Sequence, residues 1–242
     1  MAPLERRDIQ GKTVLELGCG NASLMVHMAE WKPSFLEGVD LGDSVVTAEV
    51  NMAGREDVQV TRADLTSFKG EKQYDVVYCI GVLHHLQSPE KGFDSVVRNT
   101  KPGGSFHCWV YAQEGNWVVI HIVDPIRKVA SKLPWWLNKY MVATPLVALF
   151  FVYAKILRLL PRCKVSHMLP LYEYALWIGK REFSFFRHVA FDQLVTPQTA
   201  YIPRATIEQW LSSRLEVEHA STYIIARNGN SWKFGGKKVV MP

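Results

Sequence analysis

The stretch Val14-Leu15-Glu16-Leu17-Gly18-Cys19-Gly20-Asn21-Ala22 constrains this chain more than any other. Apolar residues around one acid read as a short buried strand, Gly18 and Gly20 as a tight turn, and Leu24 to Trp31 as a helix. The bend needs φ values that a side chain opposes, and a bare main chain lets a ligand lie directly against it. A strand, glycine turn and helix in that order imply a nucleotide-like cofactor. The turn alone does not say which one, because it also opens dinucleotide-binding folds.

The downstream spacing narrows the choice. Phe35-Leu36-Glu37-Gly38-Val39-Asp40 is a second apolar strand ending in an acid, and a carboxylate there can accept both hydroxyls of a ribose. Val58-Gln59-Val60 alternates and leads into Arg62-Ala63-Asp64-Leu65. Tyr74 to Gly81 gives a fourth strand that runs into Val82-Leu83-His84-His85-Leu86. A fifth strand is expected from Ser105 to Tyr111, after the turn Lys101-Pro102-Gly103-Gly104.

Taken together these residues resemble the class I S-adenosylmethionine-dependent methyltransferases, of the small-molecule type. The resemblance rests on E-L-G-C-G at Glu16 to Gly20, V-D at Val39 and Asp40, and A-D-L at Ala63 to Leu65. It continues with Y-D-V-V at Tyr74 to Val77, L-H-H-L at Leu83 to Leu86 and K-P-G-G at Lys101 to Gly104. It implies an α/β, Rossmann-like fold with a mostly parallel seven-stranded sheet, and S-adenosyl-L-methionine as cofactor. It implies that Glu16, Gly18 and Gly20 meet the cofactor's amino-acid end and Asp40 the ribose, with Cys19 and Leu41 also among the cofactor-binding residues. Asp64 and Leu65 would meet the adenine, and Ile80 and Gly81 the sulfonium side. Ala22 stands where many members have a third glycine. A nicotinamide oxidoreductase would share Gly18, Gly20 and Asp40, but Glu16, Asp64 and the Lys101 to Gly104 turn speak for the methyltransferase.

Composition bounds the same reading. A chain of 242 residues that is 48% hydrophobic can bury one sizeable core with an embellishment. Cys19, Cys79, Cys108 and Cys163 show no paired spacing, so they read as reduced thiols, with no metal site expected. The start lacks the apolar core of a secretory signal. A net charge of +5 is too mild to imply nucleic acid.

The positive charge is concentrated in the middle of the chain. After the fifth strand roughly ninety residues, 113–202, precede the next core helix, too many for a plain connection. The expected division is a cofactor-binding core, 1–112 and 203–242, interrupted by a helical, basic and aromatic-rich substrate lid, 113–202. From Pro125 to Tyr172 there is no acidic residue but eight basic ones, Arg127, Lys128, Lys132, Lys139, Lys155, Arg158, Arg162 and Lys164, interleaved with Trp135, Trp136 and Tyr140. The apolar run Met141 to Ala154 contains Pro145 and falls short of the about 20 residues that cross a bilayer. Two readings stay open for it. One is a helical cap with a solvated basic face; the other is an interfacial element meeting an anionic membrane.

The acceptor side is less defined. His85 follows the fourth strand and is a plausible acceptor-side group, with His84 structural; a neutral imidazole is the natural base for an oxygen or nitrogen acceptor. On the lid, His188 lies one turn from Asp192, and His188 and Tyr201 are expected at the mouth of the site. The expected function is methyl transfer, at oxygen, to a small-molecule or amphiphilic, lipid- or quinone-like acceptor. The alternative is a silent cofactor- or partner-binding module. The expected location is cytoplasmic, at the inner face of a membrane if the lid docks there.

Overall fold

The computed structural model describes residues 4–159, 161, 166–196 and 198–240. Arg162, Cys163, Lys164 and Pro197, which enter the sequence reading, lie outside the described residues. Seven strands form one sheet: β1 Thr13–Leu17, β2 Phe35–Asp40, β3 Val58–Arg62, β4 Tyr74–Ile80, β5 Thr100–Tyr111, β6 Val217–Arg227 and β7 Ser231–Lys238. Their order is β3-β2-β1-β4-β5-β7-β6. β1 to β5 pair with one another in parallel. The short connection between β6 and β7 makes those two an antiparallel pair. The order runs outward from β1 in one direction to β3 and in the other to β5. The carboxyl ends of β1 and β4 therefore flank the switch point, where open α/β sheets bind ligands.

In the first half α1 Arg6–Ile9 precedes β1, and α2 Ser23–Ala29, α3 Ser44–Met52 and α4 Pro89–Asn99 lie in crossovers between parallel strands. α4 starts where Ser88 accepts a hydrogen bond from the Lys91 backbone and Pro89 needs no donor. β5 begins five residues earlier than expected, at Thr100, and carries Lys101 to Gly104 within it. Its register to β4 shifts between Tyr74 and Val76, which absorbs the residues expected as a turn. The remaining helices are α5 Asp124–Ala130, α6 Trp135–Leu137, α7 Thr144–Leu157, α8 Tyr172–Ile178, α9 Phe183–Val195 and α10 Arg204–Ser212.

The chain divides into two compact units. One holds the chain up to Val110, Ala205–Ile225 and the chain from Lys233. Its core packs Val14, Met25, Met28, Leu36, Val76 and Tyr78 on one side of the sheet. On the other, Phe93 of α4 stacks on Trp210 of α10 at 5.7 Å and meets Phe106 and Phe234 at 5.6 Å. Cys19, Cys79 and Cys108 are buried free thiols.

The second unit holds Tyr111–Arg204 and Ala226–Trp232, so the β6–β7 turn, expected in the core, groups with the insertion. The Asn116 amide donates to the carbonyls of Ala112 and Asn230 at 2.7 Å. Glu114 accepts from the Arg204 backbone and from the Trp232 indole. Within the unit, Val147, Ala154 and Leu157 of α7 pack on Tyr172, Ala175 and Ile178 of α8 and on Phe186 of α9.

The length expected for the apolar segment needs correction. Trp135–Leu157 forms a helical stretch of 23 residues, mean hydropathy 1.8, long and apolar enough to cross a membrane by length and composition, with only 22% of its most apolar window buried. Pro145 does not break it. A π-helical turn, Asn138–Ala143, precedes α7, and Thr144 Oγ1 donates to the Lys139 carbonyl at 2.8 Å. The wider turn accommodates the donor that proline lacks.

Candidate active site

The cofactor cleft is built from backbone bends at the strand ends of the first unit. Gly18 N and Cys19 N donate to the Val39 carbonyl at 2.7 and 3.0 Å, which fastens the glycine turn to the end of β2. Gly18 has φ +84, and a Cβ there would lie 2.3 Å from Val82 Cγ2, so no other residue fits without moving the turn after β4. Gly20 has φ +54 and open space where a Cβ would be. Ala22, at the departure from the family pattern, takes the same left-handed conformation at φ 63, while its methyl is fully buried in the core.

Asp40 locks the two loops together. Its Oδ2 accepts from Gly20 N and its Oδ1 from Gly42 N, both at 2.8 Å. A carboxylate has about four acceptor positions, so two remain for diol hydroxyls. Leu41 beside it is largely exposed, an apolar side chain in front of the strand end. Asp64 accepts from the backbone and hydroxyl of Thr66, shaping the turn after β3, and Leu65 is buried beneath it. Ile80 and Gly81 end β4, where Gly81 N donates to the Trp109 carbonyl.

Glu16 is buried within β1, and Tyr78 donates a 2.9 Å hydrogen bond to its Oε2. Burial pushes its carboxyl up to about 8; the Tyr78 hydrogen bond opposes that rise, and the Asp40 charge adds to it. A buried carboxyl below an open glycine turn is suited to an ammonium group, whose charge would favour the ionised form. The donors and acceptors thus fit the cofactor the sequence implies: a cation partner at Glu16, a bare main chain at Gly18 to Gly20, and a diol acceptor at Asp40.

After β4 the 3-10 turn Leu83–His85 presents two imidazoles with ring centroids 4.2 Å apart. His84 is buried and edge-on to Trp109, and burial holds it well below the usual histidine range, so it is neutral. His85 is half-buried.

In the second unit, His188 and Asp192 do approach one another, at 3.5 Å. Their side chains are 72% and 60% exposed, however, on the outside of α9. Tyr201 does line a cavity, of about 30 Å³, with Tyr111, Tyr174, Gln193, Asp124 and Arg127. Tyr111 and Tyr201 stack at 6.4 Å, and Gln193 Nε2 donates to the Tyr111 hydroxyl at 3.2 Å. The sequence reading missed Arg127, treating it as one basic residue among eight. The signal was Asp124, the last acid before the acid-free interval, one helical turn earlier.

Residues 15–106 match the family model described as a methyltransferase domain. A ubiquinone biosynthesis O-methyltransferase of Azoarcus is 32% identical over 101 residues, which cover 40% of this chain and 43% of that protein. The chain thus matches less than half the length of that curated relative. Magnesium protoporphyrin IX methyltransferase of Synechocystis superposes over 95% of this chain and 75% of its own, with TM-score 0.53 and 13% identity. An O-methyltransferase family protein of Burkholderia thailandensis superposes over 95% and 52%, with TM-score 0.54 and 11% identity. Residues 15–106 are thus a methyltransferase domain, and the sheet they belong to has the class I methyltransferase fold.

Proposed function

We propose that this chain transfers a methyl group from S-adenosylmethionine to an oxygen of a small amphiphilic acceptor, and that its second unit meets an anionic membrane face from the cytoplasmic side. Bound there, the cofactor supplies a methyl group already made electrophilic by its sulfonium. The chain's own tasks are then to hold the acceptor in line, exclude water and take up one proton. His85, in the turn that follows β4, is our candidate for taking the proton from the acceptor hydroxyl. Similarity over 40% of the chain to a protein named as a ubiquinone biosynthesis O-methyltransferase supports oxygen as the acceptor atom.

The observation that carries the amphiphile is the outer side of the second unit. The Trp135–Leu157 stretch is apolar on both faces: Ala143, Val147, Ala154 and Leu157 point inward, while Trp136, Met141, Leu149, Val152 and Ile156 are exposed, Leu149 by 74%. A helix covered on one side only, yet apolar all round, leaves surface that water disfavours. Exposed Lys128 and Lys132 lie just before it, and Lys139 rests over Trp135 and Tyr140. Tryptophan and aliphatic side chains with lysines around them suit the interface of an anionic bilayer, each lysine contributing about 1 kcal/mol there.

Two measurements test this. Incubation with methyl-labelled cofactor and a cell extract, followed by phase separation, is expected to put label into an organic-soluble small molecule. Label that enters nothing favours a silent cofactor-binding module instead. In co-sedimentation with anionic vesicles at low salt, the protein is expected to pellet. Lys128, Lys132 and Arg158 changed together to Glu should leave it in the supernatant; equal recovery of both proteins removes the membrane from the proposal.

A further inference from the structure

The cavity in the second unit is built around a charge that the rest of the site does not use. Arg127 sits on α5 with only 5% exposure, and its Nη2 donates to Asp124 Oδ1 one turn earlier. Tyr201 shares a hydrogen bond with the same guanidinium. Among the described residues the buried Arg127 Nε–H donates to no partner. A buried guanidinium donor without an acceptor carries a desolvation cost, and such groups in native proteins call for a specific explanation.

The chemistry of the walls narrows that explanation. Burial pushes the Tyr201 phenol up to about 12, with Arg127 opposing, and burial raises Tyr111 and Tyr174 as well. All three therefore remain hydroxyls at neutral pH. Asp124 pairs with Arg127 in the cavity wall, while Lys128, 3.9 Å from Asp124, is 74% exposed and stands outside the lining. A wall that offers a buried guanidinium N–H still seeking an acceptor, with hydroxyl groups around it, suits an anion. The cavity volume, about 30 Å³, holds about two oxygen-sized groups. That is room for a planar carboxylate, and too little for the four oxygens of a phosphate.

We propose that the cavity between Asp124, Arg127 and Tyr201 is a subsite for a carboxylate carried by the methyl acceptor, with Arg127 as its anchor. This deepens the function proposed above and rests on it. Arg127 Nε–H supplies the charge-assisted hydrogen bond, and the planar guanidinium fixes the orientation of the carboxylate plane. Tyr174, on the cavity wall, packs its ring on Phe150 of α7 at 6.0 Å, the helix whose outer side carries Leu149 and Val152. An acceptor with a carboxylated head and an apolar tail matches both features of the unit.

The test follows the Arg127 Nε–H resonance in ¹⁵N–¹H spectra of the full chain, identified by its loss in Arg127→Lys. Benzoate and acetate are expected to shift it saturably, while chloride and methyl benzoate leave it in place. Arg127→Lys, which keeps the charge opposite Asp124, should weaken benzoate binding about tenfold by calorimetry, and Tyr201→Phe by a smaller factor. A resonance indifferent to both carboxylates, or shifted equally by chloride, overturns the subsite. So does benzoate binding unchanged in Arg127→Lys. S-adenosylhomocysteine is titrated in parallel. Its binding with an indifferent Arg127 leaves the methyltransferase reading standing, whereas carboxylate binding without any response to S-adenosylhomocysteine counts against that reading alone.

Discussion

Glu16 shows how one buried group ties stability to ligand binding. Its native carboxyl titrates near 8 against an ordinary value of 4.5, so between those limits the native state holds a proton that the unfolded chain releases. Stability must then fall as pH rises through that window, by up to about 1.4 kcal/mol per pH unit from this group. Glu16→Gln is expected to flatten the slope in urea titrations between pH 5 and 8, and parallel slopes in the two proteins would show that Glu16 is not protonated. An ammonium beside Glu16 favours its ionised form, so S-adenosylhomocysteine should bind more tightly at pH 8 than at pH 6 in the parent and equally in the variant. His85 makes a different prediction: His85→Gln should lower kcat by about 10²- to 10⁴-fold with cofactor affinity kept. Unchanged turnover would remove it as the base. Glu16, Gly18 and Asp40 were legible in the sequence because a cofactor turn restricts residue type at fixed spacing. Arg127 was not, because a basic residue in a basic run looks solvated until a fold shows which one is buried.

At the scale of elements, the strands were legible and the long helix was not. β1, β2 and β4 are mostly apolar segments, each interrupted by one acid, Glu16, Glu37 or Asp75, and parallel strands buried on both faces must be rich in apolar residues. The Trp135–Leu157 helix is apolar all round, so it offers no 3.6-residue stripe to read, and Pro145 resembles a stop. Only the π-helical turn before α7 reveals why the helix continues. Its two faces predict opposite behaviour. Leu157→Ala, at a buried position against α8, should cost about 2–5 kcal/mol in urea unfolding. Leu149→Gln, at an exposed one, should stay within about 0.5 kcal/mol yet weaken vesicle binding. A large loss of stability from Leu149→Gln would mean that its side chain is covered in the working protein.

At the scale of the whole molecule, the sequence could place an insertion by counting residues, but not the return of the β6–β7 turn to it. That return depends on Asn116 and Glu114, polar side chains whose partners lie 114 and 118 residues away, at Asn230 and Trp232. The ends of the inserted segment also meet. Ile202 N donates to the Tyr111 carbonyl at 2.9 Å and Gln113 N to the Ile202 carbonyl at 3.2 Å, so a few residues suffice to close the gap. All the expected cofactor residues, from Glu16 to Gly81, belong to the first unit. A chain in which 115–200 is replaced by a short glycine–serine linker keeps the ladder of β1 to β5, while Asn230 loses its partner Asn116. Such a chain is expected to fold with lowered thermal stability, to bind S-adenosylhomocysteine within about threefold of the parent, and to transfer no methyl group to any extract component. Folded protein that no longer binds S-adenosylhomocysteine would show that the inserted unit completes the cofactor site; retained methyl transfer would show that it is not where the acceptor is held.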